Sequence, residues 1–136
     1  MQQAKVSDPR KFILAGRALF TLRSAKTGKR FTFKVVRKDS YNMWHVRVLA
    51  GPDNTADYNY IGFIGRTGDQ FFAKARGGKI SEAPSVKAFR WFLQNMESKQ
   101  VEVWHEGRCG RCGRALTVPE SIEAGLGAKC QAAMGR

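Results

Sequence analysis

Long apolar runs are missing from this sequence of 136 residues. A membrane-spanning helix needs about 20 consecutive apolar residues, so we expect no association with a membrane. The first residues also lack the apolar stretch of a secretory signal, which predicts a cytoplasmic protein. The sequence has only three cysteines, and in a reducing compartment so few do not indicate a disulfide framework.

Acidic residues are scarce as well. Eleven Asp and Glu stand against 24 Lys and Arg, which gives a formal net charge of +13 at pH 7. The excess is concentrated in the first fifty residues, where twelve basic side chains meet two acidic ones. A charge of this size and asymmetry excludes most cationic partners and favours nucleic acid. Hydrophobic residues make up 43% of the chain, enough for a packed core and too many for a wholly disordered protein.

Alternating hydrophobic patterns predict strands at residues 18–23, 30–36, 43–49, 58–64 and 70–74. Val86, Phe89 and Leu93 then recur at helical spacing, which predicts a helix that begins near residue 84 and ends near Met96. Together they indicate an α+β fold with an antiparallel sheet of four to five strands, one packed helix and a small C-terminal zinc-binding module. We expect a flexible basic arm at 1–12, a sheet and helix domain at 13–100 and the zinc module at 101–136.

The sharpest motif is Cys109-Gly-Arg-Cys112-Gly, a pair of thiols on one tight turn, and seventeen residues lie between Cys112 and the third cysteine, Cys130. This spacing is typical of a zinc knuckle. His105 lies four residues before Cys109 at the end of a predicted strand. The sequence therefore predicts a structural Zn²⁺ site made of His105, Cys109, Cys112 and Cys130. His45 or a water as fourth ligand, and three free thiols without metal, remain alternatives.

Catalytic motifs are weak. Arg76-Gly-Gly-Lys79 has neither the spacing nor the hydroxyl residue of a phosphate-binding loop. The paired His-x-Glu and Pro-Cys-x-x-Cys motifs of zinc deaminases are absent from the sequence. With one histidine assigned to zinc, His45 alone is left as a general base. We therefore expect a binding protein and not an enzyme.

The stretch from Gly107 to Cys130 resembles the C-terminal module of an uncharacterised protein family that is frequent in bacteriophages and mobile elements. The matching positions are Cys109, Cys112, Gly113, Arg114, Leu116, Thr117, Ser121, Gly125, Gly127 and Cys130. Leu126 and Ala128 depart from the family pattern, which has Ile and Pro there, and neither is a predicted ligand. The resemblance implies a zinc-binding module, a phage origin and no known activity, with the host cytoplasm as the location if the protein is phage-encoded.

Basic and aromatic residues interleave on the predicted strands and hairpins, as in proteins that bind single-stranded nucleic acid. The basic residues that we expect to contact DNA or RNA are Arg23, Lys26, Lys29, Arg30, Lys34, Arg37, Lys38, Arg47, Arg108, Arg111 and Arg114. Alternation assigns Phe31, Phe33 and Trp44 to the core, whereas Tyr41, Tyr58 and Tyr60 flank loops and should be accessible. The alternative is a protein-interaction module or inhibitor that docks on a host nucleic-acid or defence machine.

Overall fold

An antiparallel sheet of seven strands forms the centre of the molecule. The computed structural model describes residues 4–38, 42–51, 57–76, 79–80, 83–96, 98–116 and 119–134. The strands within these ranges are β1 (Ala4–Lys5), β2 (Arg17–Ser24), β3 (Arg30–Lys38), β4 (Met43–Leu49), β5 (Tyr58–Ile64), β6 (Phe71–Ala73), β7 (Ala75–Arg76), β8 (Lys79–Ile80) and β9 (Val101–His105). The helices are α1 (Pro9–Ile13), α2 (Pro84–Gln94), α3 (Pro119–Ala124) and α4 (Ala128–Ala133).

The order of the sheet is β1-β9-β2-β3-β4-β5-β6, while β7 and β8 form a separate two-stranded sheet. The α+β class with an antiparallel sheet is confirmed, but the predicted count of four to five strands was wrong. The sheet is larger because β9 pairs with β2 on one side and with the two-residue strand β1 on the other. These pairings join residues about 80 to 100 positions apart in sequence, and local periodicity carries no information about such contacts.

The core lies between one face of this sheet and α2. Phe20, Phe33, Val35, Val46 and Ile64 alternate along their strands and are fully buried on this inner face. From α2, the ring of Phe89 packs 5.1 Å from that of Phe33 and 5.0 Å from that of Phe71, centroid to centroid. Burial of each such ring contributes roughly 1.5–3 kcal/mol, so these contacts hold the helix across the sheet as predicted.

Residues 4–12, predicted to be a flexible arm, are ordered in the structure. Asp8 caps α1 by accepting a hydrogen bond from the backbone N–H of Lys11 (3.2 Å), and Pro9 occupies the first turn, where its missing N–H costs nothing. Phe12 and Ile13 are then completely buried. The prediction of a loose arm was wrong because it weighed the local charge and Pro9 and had no information about the cavity that the Phe12 ring fills.

The predicted boundary between a sheet domain and a zinc module at residue 101 also differs from the structure. Residues 101–105 form β9, which lies between β1 and β2 in the sheet. Beyond it, the backbone N–H of Arg17 donates to the carbonyl of Gly110 (2.6 Å), so the cysteine-bearing segment is bonded directly to β2. None of the described helices is long and apolar enough to span a bilayer.

Candidate metal centre and outer sheet face

The segment after β9 folds back as a short hairpin that places two thiols on one turn. Arg108 forms a β-bridge with Ala115, and the N–H of Cys109 donates to the carbonyl of Arg114 (2.8 Å). The turn is completed by Gly113, whose φ of +80° is a left-handed value that favours glycine. Its N–H donates to the carbonyl of Cys109 (2.9 Å). The hairpin thereby brings the side chains of Cys109 and Cys112 to the same side.

Cys130 reaches the same place from α4. The N–H of Gly110 donates to the carbonyl of Gly125 (2.8 Å), which ties the hairpin to the segment between α3 and α4. Gly127, directly before α4, donates its N–H to the sulfur of Cys109 (3.3 Å). As a result the three sulfur atoms of Cys109, Cys112 and Cys130 all lie within 4.8 Å of one another. Cys109 and Cys130 are buried, whereas Cys112 is half-buried.

The electrostatics of this group favour one thiolate. Burial opposes ionisation of Cys109, but the backbone N–H groups of Gly127, Cys112 and Arg111 point at its sulfur and lower its pKa to about 7. The pKa of Cys130 is raised, first by burial and then because its S–H donates toward Cys109 and Cys112. A side-chain hydrogen bond from Arg111 to Cys130 acts in the opposite direction. Without a cation, Cys109 favours the thiolate and Cys130 the neutral thiol. A bound cation would stabilise all three sulfurs as thiolates.

The spacing of the sulfurs agrees with a shared metal ion. With a metal–sulfur distance of ~2.3 Å, tetrahedral ligands lie about 3.8 Å apart, so the group needs to contract only slightly around an ion. The backbone N–H groups of Arg111 and Gly127 donate to the sulfur of Cys109, and hydrogen bonds of this type orient metal ligands. The three cysteines could therefore hold a metal ion, as the sequence predicted.

The structure does not bring the fourth predicted ligand, His105, into this group. His105 is fully buried in β9, where its Nδ1 accepts a hydrogen bond from the N–H of Gly107 (2.9 Å) and its Nε2–H donates to the carbonyl of Ile122. Both ring nitrogens therefore link β9 to the hairpin and to α3. The prediction of His105 as a ligand is corrected on this geometry, because spacing along the chain does not fix the direction in which a strand residue points. His45, the alternative ligand, lies on β4 and is also outside the group.

Aromatic and basic side chains share the opposite, outer face of the sheet. Across β4 and β5, Arg47 pairs with Tyr60 and His45 pairs with Phe63, with a register shift between the two pairs that keeps both rings on this face. Lys34 Nζ lies 4.4 Å above the ring centroid of Tyr58, and Arg47 Cζ lies 5.9 Å from that of Tyr60. The outer face of β3, β4 and β5 is thus a half-exposed surface on which cations alternate with rings.

This outer surface continues to the sheet edge through Phe63 and Phe72. Their rings stack at 5.0 Å with an angle of 22° between their planes, and Phe72 on β6 is 45% exposed. Neither residue was among the sequence-predicted ring contacts. Phe63 pairs with His45, so alternation along β5 could have placed its ring on the outer face. The register shift between Val46 and Arg47 interrupts this alternation, and the sequence pattern alone therefore does not predict it. Tyr58 and Tyr60 are half-buried on this face, whereas Tyr41 lies outside the described residues.

The predicted basic residues do not form one stripe. Five of them belong to the outer face of the sheet: Arg23, Arg30, Lys34, Lys38 and Arg47. Arg23 is exposed and donates a hydrogen bond to the carboxylate of Glu102 on β9 (3.1 Å), so its positive charge is paired with a negative one. The others lie elsewhere: Lys26 and Lys29 in the β2–β3 turn, Arg37 at the end of β3, and Arg108, Arg111 and Arg114 on the cysteine hairpin.

Comparison with known proteins gives one family match. A model described as a family of unknown function (DUF6011) matches residues 103–135, from the end of β9 to just beyond α4. Neither the curated proteins nor the solved structures gave a match to the chain. The family match confirms the resemblance of the cysteine-bearing module to an uncharacterised family and states no activity for it.

Proposed function

We propose that this chain is a cytoplasmic, non-enzymatic zinc protein that binds nucleic acid, DNA or RNA, on the outer face of β3, β4 and β5. The observation that carries the proposal is the placement of Lys34 over Tyr58 and of Arg47 beside Tyr60 on one accessible face. Cations that track phosphates and rings that stack on bases are the two components of single-strand recognition. Here one sheet face supplies both.

The geometry of this face favours single-stranded over double-stranded nucleic acid. Tyr60, Phe63 and Phe72 present ring surfaces that an unpaired base can cover, while the bases of a duplex are already stacked on one another. Lys34, Lys38, Arg30 and Arg47 lie among or beside the rings, so phosphates of the same strand can be neutralised. We therefore expect preference for single strands over duplexes and little dependence on base sequence.

The metal serves the fold in this proposal. Three cysteine thiolates suit the borderline-soft Zn²⁺ ion better than Mg²⁺ or Ca²⁺, which prefer oxygen ligands. The module that carries them includes only short helices and a hairpin, with Leu126 as its fully buried aliphatic side chain. A core of this size needs an additional cross-link. The ion would fix the hairpin and α4 against the end of the sheet.

The first test is binding of fluorescently labelled single-stranded and double-stranded oligonucleotides over a series of salt concentrations. We expect the single strand to bind more tightly and its log affinity to fall linearly with log salt, because binding releases counterions from phosphate. Binding that is weak at low salt and does not change with salt would refute the proposal.

The chain offers a matched pair of variants that locates the surface. Among the described residues, Phe72 on the outer face and Trp91 on α2 are the two exposed large hydrophobic side chains, at 45% and 41%. Loss of one base-stacking ring costs about 1–3 kcal/mol, so Phe72→Ala should weaken single-strand binding by at least about fivefold, whereas Trp91→Ala should leave it unchanged. Equal affinities of the two variants would show that the strand binds elsewhere.

A second function is favoured by an apolar groove between α2 and the β2–β3 hairpin. Its volume is about 450 Å³, and Leu22, Phe31 and Trp91 form its apolar lining. Lys26 and Lys29 are exposed residues of its lining, and none of the described lining residues is acidic. We propose as occupant an acidic segment of a partner protein that inserts an apolar side chain beside Trp91. If the chain is phage-encoded, as the resemblance implies, this partner would be a host protein that works on nucleic acid or in defence.

The same two variants test this second function in the opposite sense. A partner captured after nuclease treatment should be lost with Trp91→Ala and retained with Phe72→Ala, and an acidic peptide from it should compete. Capture that disappears with nuclease, or that Trp91→Ala leaves intact, would contradict a partner in the groove.

A further inference from the structure

A second basic site lies at the end of the sheet, beside the cysteines. Here the ends of β2 and β3, the loop after α1 and the cysteine hairpin enclose a cleft of about 670 Å³. Arg17, Arg37 and Arg111 line it together with Cys112, and none of the described residues that line it is acidic. Arginines from three separate parts of the chain therefore line one concave site.

Backbone hydrogen bonds fix the positions from which these arginines project. The N–H of Arg17 donates to the carbonyl of Gly110 (2.6 Å), and the N–H of Arg37 donates to the carbonyl of Gly16 (2.9 Å). Both bonds join elements that are distant in sequence, so the Cα atoms of Arg17, Arg37 and the hairpin are held at fixed separations. A site built on a rigid backbone binds with a smaller entropic cost than one that must be assembled.

The side chain of Arg37 is oriented further by its neighbours. Its Nη2 donates to Oδ1 of Asn42 (2.9 Å), and its Cζ lies 5.3 Å from the ring centroid of Trp44. Trp44 is fixed in turn, because its Nε1–H donates to the carbonyl of Leu14 (3.1 Å). On the hairpin side, Arg111 donates to Cys130 and so lies between the cysteines and the cleft.

We propose that this cleft is a binding site for a phosphate group, held by Arg17, Arg37 and Arg111. The described lining of the cleft carries three arginine charges and no carboxylate, and a bound dianion would offset those charges. Planar guanidinium forks match the oxygens of phosphate and can form two parallel hydrogen bonds to it. The volume of the cleft falls within the usual range for small-ligand sites. The inference does not depend on nucleic acid binding by the outer face.

The test uses the purified full-length protein and inorganic phosphate. Phosphate is added in steps at constant ionic strength, with chloride as the balancing anion, and the backbone amides are followed by NMR. We expect saturable shifts confined to the residues around Gly16, Arg37 and Arg111. Shifts spread over the basic surface without saturation would overturn the site.

Substitutions show whether the arginines form the contacts. Arg17→Gln keeps the backbone bond to Gly110 and should weaken phosphate binding about tenfold, because it removes a charged hydrogen bond. Arg17→Lys keeps the charge and loses the fork, so its affinity should be intermediate. Arg66→Gln is the matched control, an exposed arginine between β5 and β6 to which no phosphate contact is assigned, and should leave phosphate binding unchanged. An equal effect of Arg17→Gln and Arg66→Gln would show nonspecific screening and overturn the proposal.

Oligonucleotides distinguish the source of the phosphate group. If it belongs to a nucleic acid end, a 5′-phosphorylated strand should bind more tightly than its 5′-hydroxyl counterpart, and only for protein with Arg17 intact. If it belongs to the backbone, both strands should bind equally and inorganic phosphate should compete with both. If phosphate binds at the cleft and competes with neither, the ligand is a free phosphate compound. Nucleic acid binding by the outer face is tested separately with Phe72→Ala, which should weaken single-strand binding and leave the binding of inorganic phosphate unchanged.

Discussion

The ring of Phe12 packs against Gly110 so closely that a Cβ built on the glycine would lie 2.7 Å from Cδ1 of the ring. On its other side the same ring meets Gly125, where a Cβ would lie 2.6 Å from Cδ1. It also contacts His105 and Phe20 at centroid distances of 5.9 Å and 6.2 Å. One residue of α1 therefore joins the core of the sheet to the segment that carries the cysteines.

Gly110→Ala should destabilise the protein. The new methyl group would clash with the ring of Phe12 and with its carbonyl oxygen, 2.9 Å away, so backbone or ring must move. Such overpacking costs about 1–3 kcal/mol, measurable as a lower free energy of unfolding in denaturant. Gly127→Ala is the control, since a Cβ there meets nothing within 4 Å and φ is −67°. Equal stability of the two variants would contradict the packing described for Phe12.

Metal removal should affect the sheet as well as the cysteine hairpin. Because Phe12 and the Arg17–Gly110 hydrogen bond couple the two, chelation should lower the free energy of unfolding of the whole chain by more than about 2 kcal/mol; a ligand at one hundred times its Kd already contributes about 2.7 kcal/mol. Thermal unfolding followed by circular dichroism, with and without chelator, measures this. Cys112→Ser should behave like the chelated protein and respond no further to chelator. An unchanged melting temperature of the native protein in chelator would contradict a structural metal.

His105→Ala should lower stability and leave the metal in place. The substitution removes the acceptor of the Gly107 N–H and the donor to the carbonyl of Ile122, and unsatisfied buried groups cost about 1–3 kcal/mol each. The metal content should remain one ion per chain, with the Co²⁺-substituted absorption spectrum of the native protein. A loss of metal affinity comparable to that of Cys112→Ser would restore His105 as a ligand.

His45 should make stability depend on pH. Its pKa is lowered, mainly by burial and also by the positive charges of Lys38 and Arg47, and its Nδ1 is a buried nitrogen for which the described residues provide no hydrogen-bond partner. The neutral ring is therefore favoured in the folded state. Its contribution to stability is fully present above the ordinary pKa of about 6.5 and is lost as the pH falls through the lowered value.

Denaturant unfolding near pH 7.5 and near pH 5 measures this dependence. The native protein should lose more stability on acidification than His45→Gln, which cannot gain the proton. The comparison between the two proteins cancels the contribution of carboxylates such as Glu102, whose pKa is lowered by hydrogen bonds from Trp104 and Arg23. Identical losses in the two proteins would refute a protonation penalty at His45.

The sequence alone was enough to predict β2 to β6, α2 and the three cysteines that could hold a metal ion. Alternation at Phe31, Phe33 and Val35 and the helical spacing of Val86, Phe89 and Leu93 are local patterns, and each corresponds to β3 or α2 as observed. The turn between Cys109 and Cys112 is likewise local, because two residues and a following glycine define it. Such features are predictable because their causes, side-chain periodicity and turn chemistry, act over a few residues.

Only the tertiary structure decided how these parts meet. The pairing of β9 with β1 and β2, the fit of Phe12 against Gly110 and Gly125, and the meeting of Arg17, Arg37 and Arg111 in one cleft join positions far apart in sequence. His105 shows the reason most clearly: it lies only four positions before Cys109, yet the direction of its side chain is set by β9 within the sheet. Packing between distant elements, and not spacing along the chain, determined which partners its nitrogens have.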